Sequence, residues 1–93
     1  MPLTAGDVQT YMPHVPGWVA VDNKKIEREF ECKDFAGAMA LVNKVGDLAE
    51  REGHHPDIYI HDWNKVRMEL STHAIHGLSE NDFILAAKIN TLM

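Results

Sequence analysis

Between Phe35 and Glu52 the apolar residues Phe35, Ala38, Leu41, Val42, Val45, Leu48 and Ala49 recur at three- and four-residue spacing. That period predicts one long amphipathic helix, with Asp34 as its N-cap and Gly53 as its C-terminal stop. On either side of it the period drops to two. Trp18 to Val21 reads as a strand, Asp22-Asn23-Lys24 as a turn, and Lys25 to Cys32 as a second strand with Ile26, Phe30 and Cys32 on one face and Glu27, Glu29 and Glu31 on the other. Arg28 interrupts the apolar face, as an edge or interface position or as a snorkelling surface arginine. Beyond the helix, Ile58 and Ile60 alternate with Tyr59 and His61, Asp62 to Lys65 reads as a tight connection, and Val66, Met68 and Leu70 alternate with Arg67, Glu69 and Ser71. These two runs should pair as a hairpin.

Two more helices are announced by their first turns. Thr4 with Asp7 forms a capping box, flanked by the hydrophobic staple Leu3 and Val8, and Pro13 and Pro16-Gly17 end that helix. Ser79 with Asp82 repeats the box and Leu78 with Phe83 repeats the staple, so a final helix runs to the C-terminus. The order α-β-β-α-β-β-α implies a two-layer α+β fold over residues 1–93 as a single domain: a four-stranded antiparallel sheet with three helices on one face. The uncovered face and the edge strands suggest an oligomer. So does the last helix, where Phe83, Ile84, Leu85, Ala86, Ala87, Ile89, Leu92 and Met93 exceed one core-facing stripe.

Composition narrows the function classes. The 93 residues are 45% hydrophobic and 25% charged, an ordinary globular balance. A net charge of -5 repels polyanions, and Lys24-Lys25 is the main basic pair, so direct nucleic-acid binding is not expected. The single cysteine, Cys32, has no CxxC partner, which fits a reducing compartment. No apolar run approaches the roughly 18 residues of a membrane span, and the N-terminus lacks the pattern of a secretory leader. The expected location is cytoplasmic, with no membrane partner.

The chemistry lies in the histidines. Four of the six fall between residues 50 and 73. Histidine exchanges protons near neutrality without special tuning. Gly53 and Pro56 bracket His54-His55 in the turn entering the hairpin, and His73 lies just past its far strand, so the open end of the hairpin should gather His54, His55 and His73. Asp82 could reach the same place from the first turn of the last helix, and Glu50 lies one helical turn before His54. Taken singly, each of these residues is best explained as a solvated turn position or a cap. Their convergence argues otherwise. As a cap alone, Asp82 would contribute roughly 0.3 to 1 kcal/mol. His76 could line the same cleft or simply face solvent. His14 reads as a loop residue and Tyr59 is open, while Trp18 and Trp63 read as packing residues.

His54, His55, His73 and His76 are numerous enough to ligate zinc, but adjacent histidines seldom converge on one ion, and there is no HExxH and no second cysteine. No metal and no cofactor are expected. A Gly-x-Ser-x-Gly elbow and a Gly-rich phosphate loop are both missing.

At Glu50-x-x-x-His54-His55-Pro56, Trp63-Asn64-Lys65-Val66, Leu70-Ser71-Thr72-His73 and Gly77 to Asp82, the chain resembles the pterin-4a-carbinolamine dehydratases, also known as dimerisation cofactors of a homeodomain transcription factor. The stretch from Pro56 to Trp63 is one residue longer than in many members, which predicts a bulge at the hairpin. The resemblance implies dehydration of 4a-hydroxytetrahydropterin to quinonoid dihydropterin in pterin cofactor recycling, by histidine general acid-base catalysis. It carries over His54, His55, His73 and Asp82 as catalytic or pterin-contacting positions, with Asp82 orienting or polarising a histidine; His55 is the favoured general acid with His54 as its partner, an assignment the sequence leaves open between the two. Glu50, Ser71 and Thr72 follow as substrate-binding residues. The implied partners are the pterin and further copies of the chain, as a homodimer or homotetramer. The alternative is a non-catalytic assembly or transcriptional coactivator module on the same fold.

Overall fold

A computed structural model describes all 93 residues. Helix α1 (Ala5–Tyr11) leads through a short 3-10 turn (Met12–His14) into strands β1 (Val19–Val21) and β2 (Lys25–Glu31). Helix α2 (Phe35–Glu52), strands β3 (Asp57–His61) and β4 (Lys65–Leu70), a second 3-10 turn (His73–Ile75) and helix α3 (Glu80–Asn90) follow. The four strands form one antiparallel sheet in the order β1-β2-β4-β3. The expected α+β order is the observed one.

The local signals act as their chemistry dictates. Thr4 Oγ1 accepts from the Asp7 N–H and the Asp7 carboxylate accepts from the Thr4 N–H, each at 3.1 Å, closing the first capping box. Asp34 accepts from the Gly37 N–H at 2.7 Å and starts α2. Gly53 ends α2 in the left-handed region, at φ 64°. Its N–H reaches Glu50 O and the His54 N–H reaches Ala49 O, the paired bonds of a Schellman turn.

The period-two pattern of β4 is realised strictly, with Val66, Met68 and Leu70 buried and Lys65, Arg67 and Glu69 half-buried on the opposite face. The inner row, with Ile26 and Phe30 from β2, meets Ala38, Leu41, Val45 and Leu48 of α2 and Phe83, Leu85, Ala86 and Ile89 of α3. Val8, Val15, Trp18 and Leu78 close the ends of this core. Of the apolar surplus on α3, most is therefore absorbed within the chain, while Ile84 and Met93 stay exposed.

Several details differ from the sequence reading. Trp18 precedes β1 rather than opening it: it is buried, and its indole N–H donates to Asn90 Oδ1 at 2.9 Å. Lys65 is the first residue of β4, not part of the turn. No bulge disturbs the second hairpin, whose register runs unbroken from Asp57↔Glu69 to His61↔Lys65. The loop of Asp62, Trp63 and Asn64 takes up the length instead, through positive φ at Asp62 (47°) and Trp63 (54°). Arg28 is half-buried and bonded within the chain rather than a free surface arginine. Its guanidinium lies 4.5 Å from the Phe30 ring centroid and donates to Asn90 Oδ1 at 2.6 Å, tying β2 to the end of α3.

The outer sheet face is charged rather than apolar. Lys25 pairs with Glu69 at 3.0 Å, Arg67 with Glu69 at 3.1 Å, and His61 bridges Glu29 at 2.5 Å and Asp62 at 3.1 Å. Tyr59 lies on this face beneath the Arg67 guanidinium.

Candidate active site

His54 is delivered by the Schellman turn, which fixes its backbone one residue beyond the left-handed glycine. Its Nε2 lies 2.5 Å from Asp82 Oδ1. Asp82 sits at the third position of α3 and has no solvent exposure at all, against 18% for the His54 side chain. A buried carboxylate must be satisfied by donors. Asp82 Oδ2 accepts from the Thr72 hydroxyl and from the Ser79 N–H, both at 2.9 Å. Thr72 Oγ1 and Ser79 Oγ are 2.7 Å apart. The carboxylate that caps α3 is thus the centre of a network joining the end of α2, the end of β4 and the start of α3.

Thr72 owes its place to a closed loop. Thr72 and Gly77 form a two-way backbone bridge, with His76 at φ 53° turning the chain between them. On the outside of this loop lies an open cleft of about 340 Å³, lined by Val21, Asp22, Lys24, Lys25, Ser71, Thr72, His73, His76 and Gly77. His73 is exposed on this cleft and makes no side-chain hydrogen bond. His76 both faces solvent and lines the cleft. Neither His54 nor His55 lines it.

The site residues therefore divide into three groups. His54, Thr72 and Asp82 are bonded together, with Ser79 as a fourth member. Ser71 and His73 line the cleft, which Thr72 shares. His55 and Glu50 form a separate exposed pair through Nε2 and Oε2. The β1–β2 turn as a cleft wall was missed at the sequence level, because it arrives by the pairing of Ile26 with Leu70, 44 positions away. The capping-box pattern announces Ser79 in the sequence, but its bond to Thr72 spans seven positions and two elements. No three His, Cys, Asp or Glu side chains converge in a ligating geometry.

A carboxylate-held imidazole and a cleft lined mainly by polar residues thus meet at Thr72, which bonds Asp82 and lines the cleft. The chain belongs to the pterin 4 alpha carbinolamine dehydratase family, whose model matches residues 1–92. It is 47% identical over 93 residues to the mitochondrial pterin-4-alpha-carbinolamine dehydratase 2 of Arabidopsis thaliana, covering 97% of this chain but only 50% of that protein. A putative pterin-4-alpha-carbinolamine dehydratase of Methylococcus capsulatus is 48% identical over 92 residues, covering 98% of this chain and 80% of the relative. Among solved structures, a transcriptional coactivator/pterin dehydratase from Brucella melitensis superposes with a TM-score of 0.90 at 31% identity, over 99% of this chain and 98% of that one. A pterin dehydratase-like protein identified as a RuBisCO assembly factor in the alpha-carboxysome shares the fold, with a TM-score of 0.68 at 21% identity, over 85% of this chain and 92% of its own.

Proposed function

We propose that this chain dehydrates a 4a-hydroxytetrahydropterin to the quinonoid dihydropterin and water. Family membership supports the reaction class. The single observation that carries the mechanism is the buried Asp82 holding His54 next to Thr72, a residue of the cleft.

The C4a–O bond breaks with the departing hydroxyl taking a proton to leave as water, and the ring nitrogen gives up a proton to a base. A carboxylate offers only acceptors, so the short contact to Asp82 assigns a proton to His54 Nε2 and leaves Nδ1 with the lone pair a base needs. His55, held by Glu50, is the proposed acid, and His73 with Ser71 and Thr72 contacts the pterin from the cleft side. The chemistry calls for neither metal nor organic cofactor. Pterin cofactor recycling is the proposed setting and the cytoplasm the proposed location; no helix is long and apolar enough to cross a membrane.

The test is a dehydratase assay with enzymatically generated 4a-hydroxytetrahydropterin. Turnover unaffected by chelator is expected. His55→Ala should lower it by roughly 10²- to 10⁴-fold, and His54→Ala and His73→Ala should weaken turnover or pterin binding. No activity in the wild type, full activity in the triple variant, or activity lost to chelator and restored by metal would overturn the reading. A pterin dehydratase-like protein of the same fold is a RuBisCO assembly factor. An assembly module on this scaffold would bind a protein partner with no turnover, and the presence here of Glu50, His54, His55, His73 and Asp82 together favours catalysis.

A further inference from the structure

We infer that Ser79 is a positioning residue for the acid-base site, acting through Thr72 and Asp82 on the tautomer and orientation of His54; the inference rests on the dehydratase reading.

The argument is a count of protons. Thr72 carries one hydroxyl proton, and Asp82 as a carboxylate accepts only, so that proton is committed to Asp82 Oδ2 across 2.9 Å. The 2.7 Å contact between Thr72 Oγ1 and Ser79 Oγ must then be donated by Ser79. The order of donation is fixed from end to end: Ser79 O–H to Thr72, Thr72 O–H to Asp82, and His54 Nε2–H to Asp82 from the other side. Ser79 contributes a second time, through its backbone N–H to the same carboxylate oxygen at 2.9 Å.

Two consequences follow. Thr72 can offer the cleft only its remaining lone pair, so it receives a hydrogen bond from a ligand N–H or O–H and does not donate one. The carboxylate is held by three donors in one orientation, with Oδ1 turned to His54. Without the Ser79 hydroxyl, Thr72 is free to swing its proton toward the cleft, and Asp82 then loses a donor in a site with no solvent to replace it. The hold on His54 loosens, although Ser79 touches neither His54 nor the cleft.

The experiment compares the full chain with Ser79→Ala and Ser79→Thr. The nitrogen chemical shifts of the His54 imidazole, read by NMR without substrate, report its tautomer, and steady-state dehydratase kinetics report kcat and KM separately. Ser79→Ala should reduce the Nε2–H tautomer and lower kcat roughly tenfold, as loss of a residue that orients a catalytic group does. KM should change less than kcat, and Ser79→Thr, which keeps the hydroxyl, should restore both tautomer and kcat. Unchanged His54 shifts and kcat in a Ser79→Ala protein of lowered melting temperature would reduce Ser79 to a helix cap and overturn the inference. Failure of Ser79→Thr to rescue a folded protein would overturn it as well. A wild type inactive on the pterin would refute the dehydratase reading instead, with the imidazole shifts still testing the network.

Discussion

At the scale of single residues, Asp82 shows how a local motif can hide a larger role. As the third residue of a capping box it would be worth roughly 0.3 to 1 kcal/mol, and an amide would keep part of that hydrogen bonding. The structure gives it no exposure and donors from His54, Thr72 and Ser79, so the cost rises. In Asp82→Asn the amide oxygen can keep the Thr72 and Ser79 bonds only by turning its NH2 toward His54. The imidazole must then accept at Nε2 and carry its proton on Nδ1, the atom that the proposed mechanism needs free as a base. We expect a loss of roughly 1 to 3 kcal/mol in chemical denaturation, because hydrogen bonds to a charged group are replaced by weaker ones. The kcat/KM should fall by at least roughly 10- to 100-fold, beyond what the stability change explains. Wild-type kinetics in the variant would restrict Asp82 to capping.

At the scale of elements, one junction ties α3 to the sheet, and ion pairs lace the sheet's outer face. Asn90, at the end of α3, accepts from Arg28 and Trp18 and donates to Pro16 O at 3.0 Å. Gly17 passes beneath this knot at φ 88°, and a Cβ there would stand 2.7 Å from the Arg28 guanidinium carbon. Gly17→Ala therefore combines a backbone conformation foreign to L-residues with displacement of a tethered side chain. It should cost about 1 to 3 kcal/mol in a denaturation experiment. On the opposite face, the hydrogen bond from Lys25 holds the Glu69 carboxyl below its ordinary value of about 4.5, with Arg67 reinforcing it. A depressed carboxylate adds stability above its unfolded pKa and loses it as pH falls through the folded one. The melting temperature of the wild type should therefore drop as pH falls below about 4.5, and Glu69→Gln should flatten part of that drop. An identical acid limb in the variant would show that this pair contributes nothing.

At the scale of the whole molecule, the helices occupy one face of the sheet, while β1 and β3 remain unpaired edges. Exposed Phe35 and Met39 on α2, Trp63 at the tip of the second hairpin and Ile84 on α3 add apolar surface outside the core. The outer sheet face is laced with ion pairs, so the sheet edges and helix surfaces are the better candidates for association. A homo-oligomer is expected in solution. Light scattering at micromolar concentration that returned the 10.5 kDa monomer mass would refute this.

What the sequence determined by itself was everything encoded within a few residues. The capping boxes at Thr4 and Ser79, the Schellman stop at Gly53, the helical period of α2 and the alternation in β4 depend on neighbours one to four positions apart. They gave the element order and the two-layer architecture without reference to the rest of the chain. The turn at His54-His55-Pro56 was legible for the same reason. The site as an arrangement was not. Pairing of β2 with β4 brought Asp22, Lys24 and Lys25 to the cleft, and the packing of α3 against the end of α2 buried Asp82 onto His54. The register of β3 sent His61 to the outer face, and the approach of α3 to β2 drew Arg28 to Asn90. Contacts between residues dozens of positions apart depend on how layers stack and which strands become neighbours. Hydrophobic burial drives that stacking without regard to direction along the chain, so only the tertiary structure decides which polar groups meet at its margins.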